Sequence, residues 1–252
     1  MGESATLSSR KLISLGFIGV GWIGKSRMEA ILGTDNAQAI WICEPSNENL
    51  QAAMECGRVA NSVQQPEEGY SYPGLDGVVI ATPNAFHFSQ CKQALKESKA
   101  VFCQKPLCKT AKEVAAIVDL AKINNKLLAV DLSYRFTNAF QAVAERISSG
   151  ELGDIYAIDL VFHNAYGPDK EWFYNYDLSG GGCVMDLGIH LLDMAFSTLG
   201  YPAVNEINSH LFYKGERIAK GAKVTEDFAN VSLSTENTHI DLKCSWNLPA
   251  GC

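Results

Sequence analysis

The sequence predicts an α/β chain: a doubly wound parallel sheet in the N-terminal part, then an α+β domain built on an open, mainly antiparallel sheet. Three observations predict it. Short apolar strands alternate with helices through the first half, which is the pattern of a parallel sheet wound by right-handed crossovers. After Ser133 that alternation stops, and beyond Gly200 longer segments of alternating polarity take over, as in sheets with one solvated face. A glycine motif, "GVGWIG", stands where the first strand meets the first helix. The boundary is placed after Ser133, giving domains 1–133 and 134–252.

The elements follow in order. "KLISLGFIGV" (11–20) is an apolar run ending in glycine, hence a strand, and 23–33 reads as a helix. "AQAIWICE" (37–44) is the next strand and 46–56 the next helix. "GVVIATP" (77–83) is a buried strand stopped by proline, with a helix over 86–98. "KAVFCQKP" (99–106) and "KLLAVDLS" (126–133) are strands on either side of a helix at 110–125. The second half opens with a helix at 137–149 and a strand at 155–163. An aromatic loop, "AYGPDKEWFYNYDLSGGG" (165–182), leads into a very apolar helix. Strands are expected at 203–214, 225–235 and 239–248. The last would leave a sheet edge uncovered, so the domain reads as cut short.

Composition narrows the function. With a net charge of −7 and no run of Lys or Arg, nucleic acid is not an expected partner. The eight cysteines form no CxxC pair; they read as buried reduced thiols, which suits the cytoplasm, and none has the spacing of a metal site. No stretch is expected to be long enough to cross a bilayer. The start, "MGESATLSSRKLISLGFIGVGWIG", places basic residues before an apolar run as a secretory leader does. Four glycines break that run and no cleavage pattern follows, while "MGESAT" meets only a loose lipidation pattern. Neither reading is adopted.

Gly19, Gly21 and Gly24 have the G-x-G-x-x-G spacing, after a strand and before a helix, which is the context a dinucleotide-binding turn requires. The glycines allow the tight turn and close approach of pyrophosphate to the backbone. The helix N-terminus offers free N–H groups and positive potential. Glu44 ends the second strand, 20 residues after Gly24. A carboxylate there accepts from ribose hydroxyls and repels a 2′-phosphate, so NAD is favoured over NADP. Thr82-Pro83, at a strand's C-terminal end, and His87, just beyond at a helix start, lie where open α/β sheets bind ligands. Lys105-Pro106 also ends a strand. Alone, Lys105 could be a solvated lysine; its position suggests that it points into the same crevice.

The apolar helix carries Asp186, His190 and Asp193 at i, i+4 and i+7 among Val184, Met185, Leu187, Ile189, Leu191 and Leu192. This is one narrow polar stripe on a helix otherwise built for burial. Buried charges need partners, so the stripe is either internally satisfied or lines a cavity. Hydride transfer from a secondary alcohol needs a group to take the hydroxyl proton. Imidazole suits that proton, an ammonium can hold the oxygen, and Asp186 can orient the ring or bind a second hydroxyl. Against this stands a core histidine with no chemical role.

The segments "GFIGVGWIG", "VVIATPNAFHF", "VFCQKPL", "YRF" and "SGGGCVMDLGIHLLD", in this order, resemble the glucose-fructose oxidoreductase/inositol dehydrogenase (Gfo/Idh/MocA) family over about residues 12–200. The resemblance implies an N-terminal Rossmann domain and a C-terminal domain whose sheet often forms the interface of a homo-oligomer. It implies a catalytic set of Lys105, Asp186 and His190: His190 as acid/base, Lys105 polarising the reacting oxygen, Asp186 holding substrate or tuning its neighbours. It places Asn84 and His87 near the nicotinamide. The implied cofactor set is thus Gly19, Gly21, Trp22, Ile23, Gly24, Glu44, Thr82, Pro83, Asn84, His87, Gln104 and Lys105. Tyr134, Arg135 and Trp172 would bind substrate, though Trp172 could equally be a packing aromatic. The family usually has Glu where Gln104 stands, and its members are longer. The function expected is NAD(P)-dependent oxidation of a sugar or cyclitol hydroxyl. Two alternatives are an NAD-dependent glycoside hydrolase of the same family and a non-catalytic NAD(P)-binding regulator.

Overall fold

The computed structural model describes residues 11–57 and 59–248; the first ten residues of the leader-like start and Cys252 lie outside them, and the apolar run of that start is described below as a strand. The chain divides into two compact units. The first comprises the residues up to Thr82 with Phe86–Gln104 and Lys112–Ala129, and the second comprises Pro83–Ala85, Lys105–Ala111 and the residues from Val130 onward.

The first unit is a five-stranded sheet in the order β2-β1-β3-β4-β5. Its elements, of which α4, α5 and β5 have end residues in the second unit, are β1 (Ile13–Ile18), α1 (Trp22–Leu32), β2 (Ala37–Cys43), α2 (Asn47–Gly57), α3 (Pro66–Tyr70), β3 (Gly77–Ile80), α4 (Asn84–Lys96), β4 (Ala100–Gln104), α5 (Ala111–Ile123) and β5 (Leu128–Asp131). β1 pairs in parallel with β2 and β3, and β3 with β4, so these strands end on one edge of the sheet. The central strands are buried on both faces, which is why they read as unbroken apolar runs. Phe17, Val20, Met28, Ile42, Ala53 and Val79 form the core between sheet and helices. The short α3, with Pro66 in its first turn, was not anticipated because a single turn shows no periodicity.

The second unit contains a 3-10 turn (Ser133–Phe136), α6 (Asn138–Ser148), β6 (Ala157–His163), a second 3-10 turn (Glu171–Tyr174), α7 (Tyr176–Ser179), a π turn (Val184–Gly188), α8 (Ile189–Leu199), β7 (Glu206–Tyr213), β8 (Glu216–Arg217), β9 (Phe228–Ser234) and β10 (His239–Ser245). Its sheet runs β6-β10-β9-β7-β8. The β6–β10 pair is parallel and the others are antiparallel, so the sheet is mixed and mostly antiparallel. Leu187 and Leu191 pack with Ala229, Leu242, Cys244 and Trp246, laying the apolar helix on one face of the sheet.

Two expectations are corrected. The apolar helix is not continuous: it begins as the π turn and becomes α-helical only at Ile189. A turn that closes over five residues leaves no trace in local periodicity. By length and composition, the helical run Tyr176–Leu199 does pass for a membrane span. Two of its carboxylates, Asp186 and Asp193, are paired inside this unit, as described below. Of the described cysteines only Cys56 is exposed. A thiol-reactive chromophore should therefore modify Cys56 rapidly in native protein and leave Cys43, Cys91, Cys103, Cys108, Cys183 and Cys244 unmodified until denaturant is added.

Candidate active site

The glycine turn is built as the motif requires. Gly19 has φ +80°, and a side chain there would meet the backbone of Ala81 and Thr82. A Cβ on Gly24 would strike the carbonyl of Gly19, so helix and strand meet backbone to backbone. At Gly21 a Cβ would find open space, with nothing nearer than Asn49 Nδ2 at 4.0 Å. Gly21 caps α1, which has no side-chain cap and no acidic residue in its first turn. Its leading N–H groups therefore lack intrahelical acceptors and suit an anion. Trp22 in that turn is 85% exposed. Glu44 accepts the N–H of Val20 at 2.8 Å and of Ser46 at 3.0 Å, which fixes its carboxylate beside the turn. These groups fit a dinucleotide's pyrophosphate and unphosphorylated ribose.

Thr82, His87 and Gln104 belong to the same unit as the glycine turn. Thr82, just past β3, accepts a hydrogen bond on its carbonyl from the wholly buried His87 through Nε2, at 2.8 Å. The ring thereby braces the start of α4. Gln104 ends β4 and is buried. Asn84 belongs to the second unit and donates to the carbonyl of Ser179 at 2.8 Å.

Lys105, Asp186 and His190 come together in the second unit. The Lys105–Pro106 peptide is cis. Lys105 Nζ donates to Asp186 Oδ1 at 2.7 Å and to the Asp186 carbonyl at 2.8 Å. The π turn thus presents backbone and side chain of one residue to one ammonium. Both side chains are largely buried, at 17% and 15% exposure. His190, 6% exposed, stacks on Tyr134 with ring centroids 4.2 Å apart and planes 17° from parallel. Its Nδ1 is buried and has no hydrogen-bond partner among the described residues. Burial first, and then the Lys105 ammonium, push the imidazole down to about 4, against the opposing pull of Asp186, Asp131 and Asp193. The ring is therefore neutral at pH 7.

The third member of the stripe has a structural partner. Asp193 is bound by Arg135 through Nε at 2.8 Å and through Nη2; Nη2 also reaches the Tyr201 hydroxyl at 3.0 Å. Arg135, expected in the substrate region, is thus engaged in clamping the turn that carries Tyr134 onto α8. Trp172 stacks on Phe173 at 3.8 Å and makes no described contact with Lys105, Asp186 or His190.

Two supporting residues escaped sequence reasoning. The buried Glu226 accepts the N–H groups of Gly182 and Val184, both at 2.9 Å. Burial raises its carboxyl above the usual range, opposed by those same bonds. A Cβ on Gly182 would collide with the Glu226 backbone, so this glycine lets the segment just before β9 approach closely. Glu226→Ala should lower unfolding free energy by about 2 kcal/mol or more, because it orphans two buried donors; urea denaturation measures it. Trp246 is the other missed residue, fully buried and donating from Nε1 to Asp186 Oδ2 at 2.9 Å. A buried indole needs an acceptor, but nothing in the sequence names one.

Residues 13–132 match an oxidoreductase family described by its NAD-binding Rossmann fold, and residues 140–252 match the C-terminal domain of the same family. The chain belongs to the Gfo/Idh/MocA family. Among curated proteins it is 31% identical to D-glucoside 3-dehydrogenase of Escherichia coli over 84% of this chain and 60% of that one. It is 26% identical to inositol 2-dehydrogenase of Rhizobium meliloti over 77% of this chain and 57% of that one. The chain therefore spans less than two thirds of these relatives. Among solved structures, the complex of levoglucosan dehydrogenase with NADH and levoglucosan superposes with a TM-score of 0.83 at 24% identity, over 94% of this chain and 68% of that one. The complex of GenD2 with NAD superposes with a TM-score of 0.87 at 20% identity, over 96% and 68%. At these identities the likeness shows the Gfo/Idh/MocA fold alone.

Proposed function

We propose that this chain is an NAD-dependent dehydrogenase that oxidises a CH–OH group of a sugar or cyclitol. The observation that carries the reading is the buried, neutral His190 imidazole, with an unpartnered Nδ1, beside the Lys105–Asp186 pair. The glucoside and inositol dehydrogenases among its relatives support the substrate class, as does a site built from hydrogen-bonding groups, which rejects substrates unable to satisfy them.

When bound, NAD supplies the hydride acceptor. Gly19, Gly21, Gly24 and the first turn of α1 would hold its pyrophosphate, and Glu44 its ribose. Lys105 donates to the substrate oxygen and stabilises the negative charge that develops there. That interaction acidifies the hydroxyl, so a weak base suffices, and His190 accepts the proton. Asp186 holds the Lys105 ammonium in place. Tyr134 packs against the imidazole and fixes its plane.

Two further readings accompany this one. The buried thiols of Cys43, Cys91, Cys183 and Cys244 support a cytoplasmic setting. The exposure of β7, including Ile207 at 62%, supports assembly of copies through the second sheet, which light scattering would detect as a mass above that of one chain. The function itself is tested by a panel of sugars and cyclitols with NAD or NADP, read by nicotinamide absorbance. Steady NADH formation with at least one polyol is expected; glycoside release without net NADH, or no turnover at all, would overturn it.

A further inference from the structure

We infer that Trp246 is a positioning residue for the reaction, holding the Asp186 carboxylate so that it aims Lys105. This rests on the function proposed above. The Lys105–Asp186 pair is buried, and a buried pair repays its desolvation only where the remaining lone pairs are also satisfied. Asp186 Oδ1 and the Asp186 carbonyl both take the ammonium. Among the described residues Oδ2 takes one donor, the Trp246 indole N–H at 2.9 Å. With Oδ2 held, the carboxylate cannot rotate about its terminal bond, and Oδ1 stays directed at Nζ. Two of the three ammonium N–H groups are thereby committed, and the third is left for the substrate oxygen.

The indole is itself immobilised. It stands directly after β10, its backbone N–H bonds the Asp227 carbonyl at 2.9 Å, and its ring is fully buried. Phe173 meets it edge-on at 6.3 Å and 90°, and Tyr174 at 5.4 Å and 66°. The aromatic loop at 171–174 and the end of the sheet therefore converge on a single donor. Among the described residues no hydrogen bond or ring contact joins Trp246 to His190, so the residue acts through Asp186 and not on the reacting atoms.

The test begins with the indole signals in a ¹⁵N–¹H spectrum. The chain has four tryptophans, Trp22, Trp41, Trp172 and Trp246. Trp246→Phe identifies the relevant signal by its loss. Should that variant fail to fold, Trp22→Phe, Trp41→Phe and Trp172→Phe, each read where it folds, narrow the assignment by elimination. The Trp246 signal is expected downfield, as for a donor to a carboxylate, and should move upfield in Asp186→Asn, which keeps the indole in place. A signal that does not move overturns the contact.

The second readout is acetylation of Lys105, followed by mass spectrometry in the absence of nucleotide and substrate. Its rate should rise severalfold in Trp246→Phe, and an unchanged rate overturns the positioning role. With turnover in hand, the same variant should lose kcat by at least about tenfold, as small misplacements of reacting groups do, with unchanged affinity for NAD; kcat equal to wild type also overturns it. Failure of the dehydrogenase reading would appear separately, as a wild type that oxidises no polyol, and would leave the spectral and labelling results standing.

Discussion

Lys105→Met is expected to lower kcat by about a thousandfold, the scale of losing a preorganised electrostatic donor at a developing oxyanion. Affinity for NAD should fall far less in a calorimetric titration, because the groups fitted to the pyrophosphate and ribose lie in the other compact unit. The substitution has a second consequence. Methionine fills the lysine's volume but strands the Asp186 carboxylate, 15% exposed, opposite an apolar side chain. Breaking one side of a buried ion pair costs about 3–5 kcal/mol, so the variant should also unfold at lower urea. The double variant Lys105→Met/Asp186→Asn should recover much of that stability and none of the rate. Equal recovery of both would mean that Lys105 is structural only, and the catalytic assignment would fall.

His190→Gln is expected to lower kcat by about a hundred- to ten-thousandfold, the range for loss of a general base. It also has a stability signature that does not depend on any substrate. The imidazole falls from 6.5 in the open chain to about 4 in the fold. Between those values the unfolded chain binds the proton and the folded one does not. Stability is therefore fully present above pH 6.5 and is lost as pH falls towards 4, by about 3 kcal/mol for a shift of this size. Urea midpoints of wild type should drop across that interval more steeply than those of His190→Gln. Parallel curves would show that the ring is not buried in its neutral form.

Much of this was legible in the sequence, for identifiable reasons. The parallel strands showed because burial on both faces makes them uniformly apolar, and "GVVI" and "AVFC" carry that signature without help from their neighbours. Asp186, His190 and Asp193 stood out because polar groups are conspicuous on an oily helix, and the two carboxylates of the stripe pair with Lys105 and Arg135. What stayed hidden depends on long-range partners. Arg135 meets its counter-charge, Asp193, across 58 residues. Trp246 meets Asp186 across 60 residues and Glu226 meets Gly182 across 44; neither contact has a local pattern.

The bare first turn of α1 has a practical consequence for measurement. Trp22 is almost wholly in water there, while Trp41 and Trp246 are sealed in the interior. Exposed and sealed indoles emit at different wavelengths, so the red flank of the fluorescence spectrum should report chiefly on Trp22. A nucleotide settling on the glycine turn should dim that flank and leave the blue flank nearly constant, giving a titration signal before any substrate is known.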